Sequence, residues 1–276
     1  MVIMNRLSAP NRARVVASLV EGNSIRATIR MTGVAKNTIV KLLVDLGAAC
    51  SKFQDEKIRN VRARRVQCDE IWSFVGSKEK NTSHEKKAEG CGDCWTWTAL
   101  DADTKLMISF RLGDRTLATA YDFMHDVAER ISNRIQLTTD GHRVYLEAVE
   151  SAFGLEIDYA MLNKVYRANP EGQTRDSPAK CIGVTSAVVS GDPDPKHVST
   201  SCVERSNLTM RMSIRRFTRL TNAFSKKLEN HAAMVALFFM YYNFDRVHQT
   251  LRVTPAMEAG IADHVWSIEE IVALLG

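Results

Sequence analysis

The sequence predicts an α/β protein, a mixed five-stranded sheet flanked by helices and preceded by a small all-α unit. Three observations carry that expectation. From Asn11 to Leu46 apolar residues recur at helical spacing, with two interruptions. From Val66 to Phe110 they shift to short runs rich in β-branched and aromatic residues, the mark of strands. From Thr116 to Met161 helical and strand patterns alternate, as they do where crossovers build a partly parallel sheet.

In order along the chain, Val15, Val16, Leu19 and Val20 form the first apolar stripe, closed by Gly22-Asn23. Ser24 can cap a second short helix through Ile25 and Ile29 to Met31. Thr32-Gly33-Val34 reads as a tight turn, and Asn37-Thr38 open a third helix that buries Ile39, Leu42, Leu43 and Leu46. Helices joined by such short turns fit a helix-turn-helix over residues 1–50, with Lys36, Asn37, Thr38 and Lys41 near the start of its second member. A generic three-helix bundle would show the same spacing. Residues 51–65 are a polar, Arg-rich linker. Strands are expected over Val66–Val75, Asp93–Leu100, Lys105–Phe110, Arg134–Thr139 and Glu156–Met161, with a charged loop from Gly76 to Gly92. Helices are expected over Thr116–Ile131 and around Val144, Tyr145, Ala148 and Val149. Asn163–Thr200 holds Pro170, Gly172, Pro178, Gly183 and Gly191 with no steady period and reads as a long loop; helical patterning returns at Ser201.

The 276 residues, 45% hydrophobic and 25% charged, suffice for a real core, which excludes a disordered chain. The longest apolar run, Met234–Tyr242, falls well short of the ~18–20 residues of a membrane helix, and Met1–Arg6 is followed by no signal-like segment. Six scattered cysteines do not make a disulfide scaffold. The expectation is a soluble, cytoplasmic protein. Its net charge of +5 conceals an asymmetry: residues 1–65 hold 13 Lys and Arg against 4 Asp and Glu, a balance of +9, leaving −4 for the remainder. Within that remainder Arg205, Arg211, Arg215, Arg216, Arg219, Lys226 and Lys227 form a second basic zone with no acid from 205 to 228. Two basic zones suit a polyanionic partner, though solvated helix faces can carry the same charges.

Three acids stand out against this background. Asp69 lies inside an expected strand, which disfavours Asp, and Asp140 lies where another strand ends. Glu204 begins a helix on which Asn207, Arg211 and Arg215 follow at i+3, i+7 and i+11 on one face, while Met210, Ile214 and Phe217 occupy another. Hard oxygen donors from three separate elements can hold two Mg²⁺ ions about 3.5–4 Å apart, a pairing suited to phosphodiester chemistry. Taken singly, each acid could equally be a turn or salt-bridge residue.

Three boxes, Cys68–Phe74, Leu137–Tyr145 and Val203–Arg211, resemble the acid boxes of DDE transposases, and Arg216–Lys226 with Tyr242–Ala259 resembles the insertion-sequence-one family of them. The resemblance runs from about residue 10 to the end. It implies a ribonuclease H-like catalytic domain over 66–276, with Asp69, Asp140 and Glu204 as a catalytic triad binding Mg²⁺ (Mn²⁺ as substitute) and no organic cofactor. It implies double-stranded DNA as partner, at the transposon's terminal inverted repeats and at the target, and a homodimer or larger assembly on that DNA. Strand cleavage would free a 3′-OH that attacks target DNA directly. Lys36, Asn37, Thr38, Lys41, Asn207, Arg211 and Arg215 are the candidate DNA-binding residues, Arg211 standing seven positions after the Glu as a basic residue often does in the family.

Many relatives carry a cysteine-rich zinc element ahead of the helix-turn-helix, whereas no Cys precedes Cys50 here. Cys91 and Cys94, with His84 as a conceivable third ligand, make half a zinc site, and incidental thiols account for them as well. His142 can contact the flanking strand or cap a helix, His248 suits a structural role, and Trp72, Trp95 and Trp97 suit sheet packing. Two other readings use the same features: a DNA-binding regulator whose core no longer acts, and a cellular ribonuclease H-like nuclease, which would need no sequence-specific N-terminal unit.

Overall fold

A computed structural model describes residues 7–167, 180–218 and 221–276. Three helices lead, α1 (Ala9–Val20), α2 (Ile25–Thr32) and α3 (Lys36–Lys57). The Ser24 hydroxyl accepts from the Ala27 N–H at 3.1 Å and starts α2 as a cap should; Gly33 ends it in the left-handed region at φ 71°, where a Cβ would be strained. α3 runs on through Lys57, so residues 51–57, expected as linker, are helix. Burial supplies the reason. Cys50 and Gln54 face inward, and the Gln54 amide donates to the Ala236 carbonyl at 3.1 Å.

Among the described residues the sheet has six strands in the order β3-β2-β1-β4-β5-β6, made of β1 (Arg65–Val75), β2 (Gly92–Asp101), β3 (Met107–Gly113), β4 (Ile135–Asp140), β5 (Ile157–Arg167) and β6 (Lys180–Ser190). β1–β4 and β4–β5 are parallel and the other pairs antiparallel. The five-stranded expectation is thus corrected to six, and the expected loop Asn163–Thr200 contains the end of β5 and all of β6. Pro170, Gly172 and Pro178 of that loop lie outside the described residues, as do Arg219 and Met1–Arg6. β6 is an edge strand whose Ile182, Val184, Val188 and Val189 are all exposed, so no alternation of apolar and polar residues marks it.

The remaining helices are α4 (His84–Ala88) within the charged loop, α5 (Leu117–Arg130), α6 (Val144–Phe153), α7 (Ser201–Ser213), α8 (Leu228–Met240), α9 (Pro255–Glu258) and α10 (Ile268–Ala273). None of the described helices is long and apolar enough to cross a membrane. α5 and α6 cover one face of the sheet, where Trp97 meets Phe123 and Tyr145. α7 and α8 cover the other, where Thr98 meets Asn207 and Phe110 meets Phe239. A π-helical turn, Tyr241–Asp245, extends α8 and presents buried Asn243 to β3: its amide accepts from the Met107 N–H at 3.0 Å and donates to the Met107 carbonyl at 3.1 Å.

The leading helices dock on this body through α3 and α8. A Cβ built on Gly47 would lie 2.5 Å from the Ala233 Cα, so the two backbones approach as only glycine permits. Gly47→Leu is therefore expected to destabilise the protein by roughly 1–3 kcal/mol or more, read as a lower denaturant midpoint. An unchanged midpoint would contradict this contact.

Candidate active site

The parallel register of β1 and β4 pairs Cys68 with Thr139, so the next residues up each strand, Asp69 and Asp140, stand side by side. Glu70 follows on β1 and, by the period of two, faces the opposite side of the sheet. β4 ends at Asp140 while β1 continues to Val75, so above that point no strand of β4 separates the two faces. One carboxylate oxygen each from Asp69, Glu70 and Asp140 consequently lies within 4.8 Å of the other two.

Each acid is held. Asp69 accepts from the Glu70 N–H at 2.9 Å and from the Asn207 side-chain amide at 2.8 Å. Asp140 accepts from the His142 N–H at 3.0 Å. Arg115, in the turn between β3 and α5, donates to Glu70 through Nε at 3.1 Å and lies 3.4 Å from Asp140 through Nη2. Glu70 is only 1% exposed in its side chain. Its Oε1 is buried with no hydrogen bond of standard geometry, although the Tyr145 hydroxyl lies close enough to pull its pKa down.

Burial pushes the Asp69 pKa up to about 6, with the charges of Asp140 and Glu204 adding to the rise and its two hydrogen bonds opposing it. Burial likewise pushes Glu70 up to about 7, with Asp140 adding and Tyr145 and Arg115 opposing. Both shifts are upward from ordinary values of 3.8 and 4.5. Between about pH 4 and 7 the folded chain therefore keeps protons that the unfolded chain has lost, and this contribution to stability is present below pH 4 and disappears by about pH 7. In EDTA, wild type is expected to lose melting temperature from pH 5 to 7.5 relative to Glu70→Gln. Parallel pH profiles for the two proteins would contradict the raised pKa.

Glu204 stands outside the 4.8 Å group. It projects from the first turn of α7, where Lys164 of β5 forms an ion pair with Oε1 and the Thr200 hydroxyl donates to the same oxygen at 2.5 Å. Its charge still reaches Asp69. The helical stripe expected from Glu204 to Arg215 is broken, because α7 ends at Ser213 and Arg215 begins a separate 3₁₀ turn, Arg215–Phe217. Met210, Ile214 and Phe217 are buried as expected. Asn207, expected at a DNA surface, is instead buried against Asp69, while Arg211 is half-buried and Arg215 exposed. Lys36, Asn37, Thr38 and Lys41 are exposed on the first turns of α3, far along the chain from the acids, and Lys41 pairs with Asp45 at 2.6 Å.

The other candidates resolve into packing. His142 stacks on Trp97 with centroids 6.2 Å apart, and the His248 ring meets the Thr250 hydroxyl at 3.0 Å within its own turn. Trp97 is fully buried, Trp72 lies beside Phe74, and Trp95 carries Arg115 above its ring at 4.8 Å. Cys94 is buried, its pKa pushed up to about 11 by that burial, and among the described residues no cluster of three ligand-type side chains includes it or Cys91. Sequence reasoning missed Glu70, Arg115 and Lys164. The Asp-Glu pair on one strand was a usable signal for Glu70; nothing marked Arg115, in a three-residue turn without periodicity.

The donor set suits a hard divalent cation: three carboxylates converge, and Glu70 Oε1 is a buried acceptor without a well-formed partner. No family model matches the chain. It is 24% identical over 182 residues to the insertion element iso-IS1n protein InsB of Shigella dysenteriae, covering 64% of this chain and 95% of that protein. The piggyBac transposase in its synaptic complex with hairpin DNA aligns with 97% of this chain and 69% of that one at 12% identity, with a TM-score of 0.42, too low for the shared shape to carry an argument. The chain is thus distantly similar in sequence to an insertion-element protein.

Proposed function

We propose that this chain is a DNA transposase of the DDE type, cutting phosphodiester bonds at the ends of its element and joining the freed 3′-OH to target DNA. The observation that carries this reading is the in-register placement of Asp69 and Asp140 on neighbouring parallel strands, with Glu70 completing an acidic group. The similarity to an insertion-element protein supports the same reading.

In this reading Asp69, Asp140 and Glu204 hold Mg²⁺, with Mn²⁺ as substitute, and Glu70 adds a fourth carboxylate beside them. A divalent cation bound there supplies Lewis acidity, activating the attacking oxygen and stabilising the leaving one. The protein residues fix the geometry for it. Asn207 orients the Asp69 carboxylate and the His142 N–H orients Asp140, each with one hydrogen bond. Lys164 and Thr200 hold Glu204 at the first turn of α7. Arg211 and Arg215, on α7 and just past it, bind phosphate beside the acids. Residues 1–50 act as the DNA-end-binding unit, 51–65 as its connection and 66–276 as the catalytic domain, although α3 crosses the first boundary. Joining two ends calls for at least a dimer on DNA, in the cytoplasm.

The exposed start of α3 makes the binding half testable. Lys36→Ala is expected to weaken binding to the flanking DNA ends and to lower the slope of log affinity against log salt by about 1, the signature of one lost phosphate contact. An unchanged slope would remove Lys36 from the interface. Incubation of wild type and Asp140→Asn with the same ends and Mg²⁺ tests the catalytic half: nicked ends from wild type alone support the reading, and equal products contradict it.

A further inference from the structure

The acidic group is unbalanced in charge. Asp69, Glu70 and Asp140 bring three carboxylates together, and among the described residues Arg115 is the cation paired with two of them. Its geometry is that of a bridge between two acids, not of a fork on one. Both Nε and Nη2 lie about one hydrogen bond from the same Glu70 oxygen, at 3.1 and 3.0 Å, while Nη2 also reaches toward Asp140 at 3.4 Å. A two-pronged arginine–carboxylate pair uses both oxygens, whereas here Arg115 engages one and the buried Oε1 has only the Tyr145 hydroxyl nearby, without a well-formed bond.

Arg115 is also built to leave. It sits in the turn between Gly113, the last residue of β3, and Leu117, the first of α5, and its side chain is 37% exposed. The flanking Asp114 is pinned, its carbonyl accepting from the buried Trp97 indole at 3.3 Å, so motion of the side chain needs no motion of the turn. Trp95 lies beneath the guanidinium at 4.8 Å and offers it a resting surface beside the acids.

We infer that Arg115 and a divalent cation compete for Glu70 and Asp140, so that cation entry releases the guanidinium from the acids. Arg115 is in this account a positioning residue that keeps the carboxylates together before loading. The inference rests on the reading of this cluster as a divalent-cation centre, and it deepens that reading by giving the centre a resident counter-ion. One exchange of charge is involved: the guanidinium gives up its hydrogen bonds to the two acids, and their negative charge would then be balanced by the cation instead.

Mn²⁺ titration by calorimetry tests it on the full-length protein without DNA. Arg115→Gln is expected to bind Mn²⁺ about tenfold more tightly than wild type, because no guanidinium has to be displaced. Arg115→Lys, which keeps the charge, should return toward the wild-type affinity. Equal or weaker binding by Arg115→Gln overturns the proposal, since a merely structural arginine would show lower melting temperature without tighter binding. Wild type alone gives a second reading should the variant not fold. Labelling by an arginine-specific dicarbonyl, mapped by mass spectrometry, should rise at Arg115 when Mn²⁺ is added; constant or reduced labelling overturns the proposal. If wild type binds no Mn²⁺ at all, the proposal and the cation centre fail together. If the competition holds while strand transfer is absent, only the transposase reading fails.

Discussion

Asp69→Asn is expected to reduce strand cleavage and transfer on the order of 10²–10³-fold or more while raising the melting temperature in EDTA at pH 7.5. The two effects have one cause. Asp69 is buried beside the like charges of Asp140 and Glu204, and burial first and those charges second push its pKa up to about 6, so the fold resists ionising it. At pH 7.5 the carboxylate is nonetheless ionised, which costs stability and supplies the anionic oxygen that a divalent cation requires. Asparagine keeps the shape and one acceptor for the Asn207 amide, gives up the acceptor for the Glu70 N–H, removes the larger cost of burying a charge among like charges, and removes the ligand charge. Active sites commonly trade stability for function in this way. Circular dichroism melts and a cleavage assay on the same preparations check it. Loss of activity accompanied by a lower melting temperature would mean that Asp69 is a structural residue.

Asn243→Leu is expected to destabilise the protein by roughly 2–5 kcal/mol, enough to deplete the folded state of a marginal domain. Asn243 is fully buried, and its amide satisfies both the N–H and the carbonyl of Met107 at the start of β3. β3 is the edge strand beyond β2, and its first residue has no neighbouring strand on the outer side. Leucine fills the volume but strands two buried backbone groups, each costing about 1–3 kcal/mol. Urea denaturation gives the number. A loss below about 1 kcal/mol would show that water or a shifted turn replaces the amide.

Much of this arrangement was legible in the residues, and the exceptions share a physical theme. Asp69 could be singled out because strand interiors disfavour Asp, whereas Asp140, before Gly141, reads by itself as a turn residue and gains meaning only beside Asp69 through the parallel register. Glu70 was overlooked because the period of two sends it to the other face. Only the early end of β4 lets both faces contribute to one cluster, and a strand's end relative to its neighbour is a tertiary fact. β6 was hidden because both of its faces are exposed, so its Val, Ile and Thr residues alternate with nothing. The extension of α3 through Lys57 was hidden by the opposite circumstance: residues 51–57 are mostly polar, and the inward turn of Gln54 is satisfied by a carbonyl of α8, 182 residues away in sequence. Asn207 was legible as a member of a helical face but not as a partner of Asp69, since which side of α7 meets β1 is set by burial of Val203 and Met210.

Glu204, the proposed third acid of the catalytic centre, lies on a different element from the other two and pairs with Lys164 and Thr200. The most direct measurement is strand transfer in vitro, with the flanking DNA ends, a target plasmid and Mg²⁺, for wild type, Glu204→Gln and Glu70→Gln. Joined products are expected from wild type, none from Glu204→Gln, and reduced but detectable joining from Glu70→Gln. Full activity in Glu204→Gln with none in Glu70→Gln would make Asp69, Glu70 and Asp140 the working triad and contradict the role proposed for Glu204. Absence of product from wild type while it still binds the ends would contradict the catalytic reading itself.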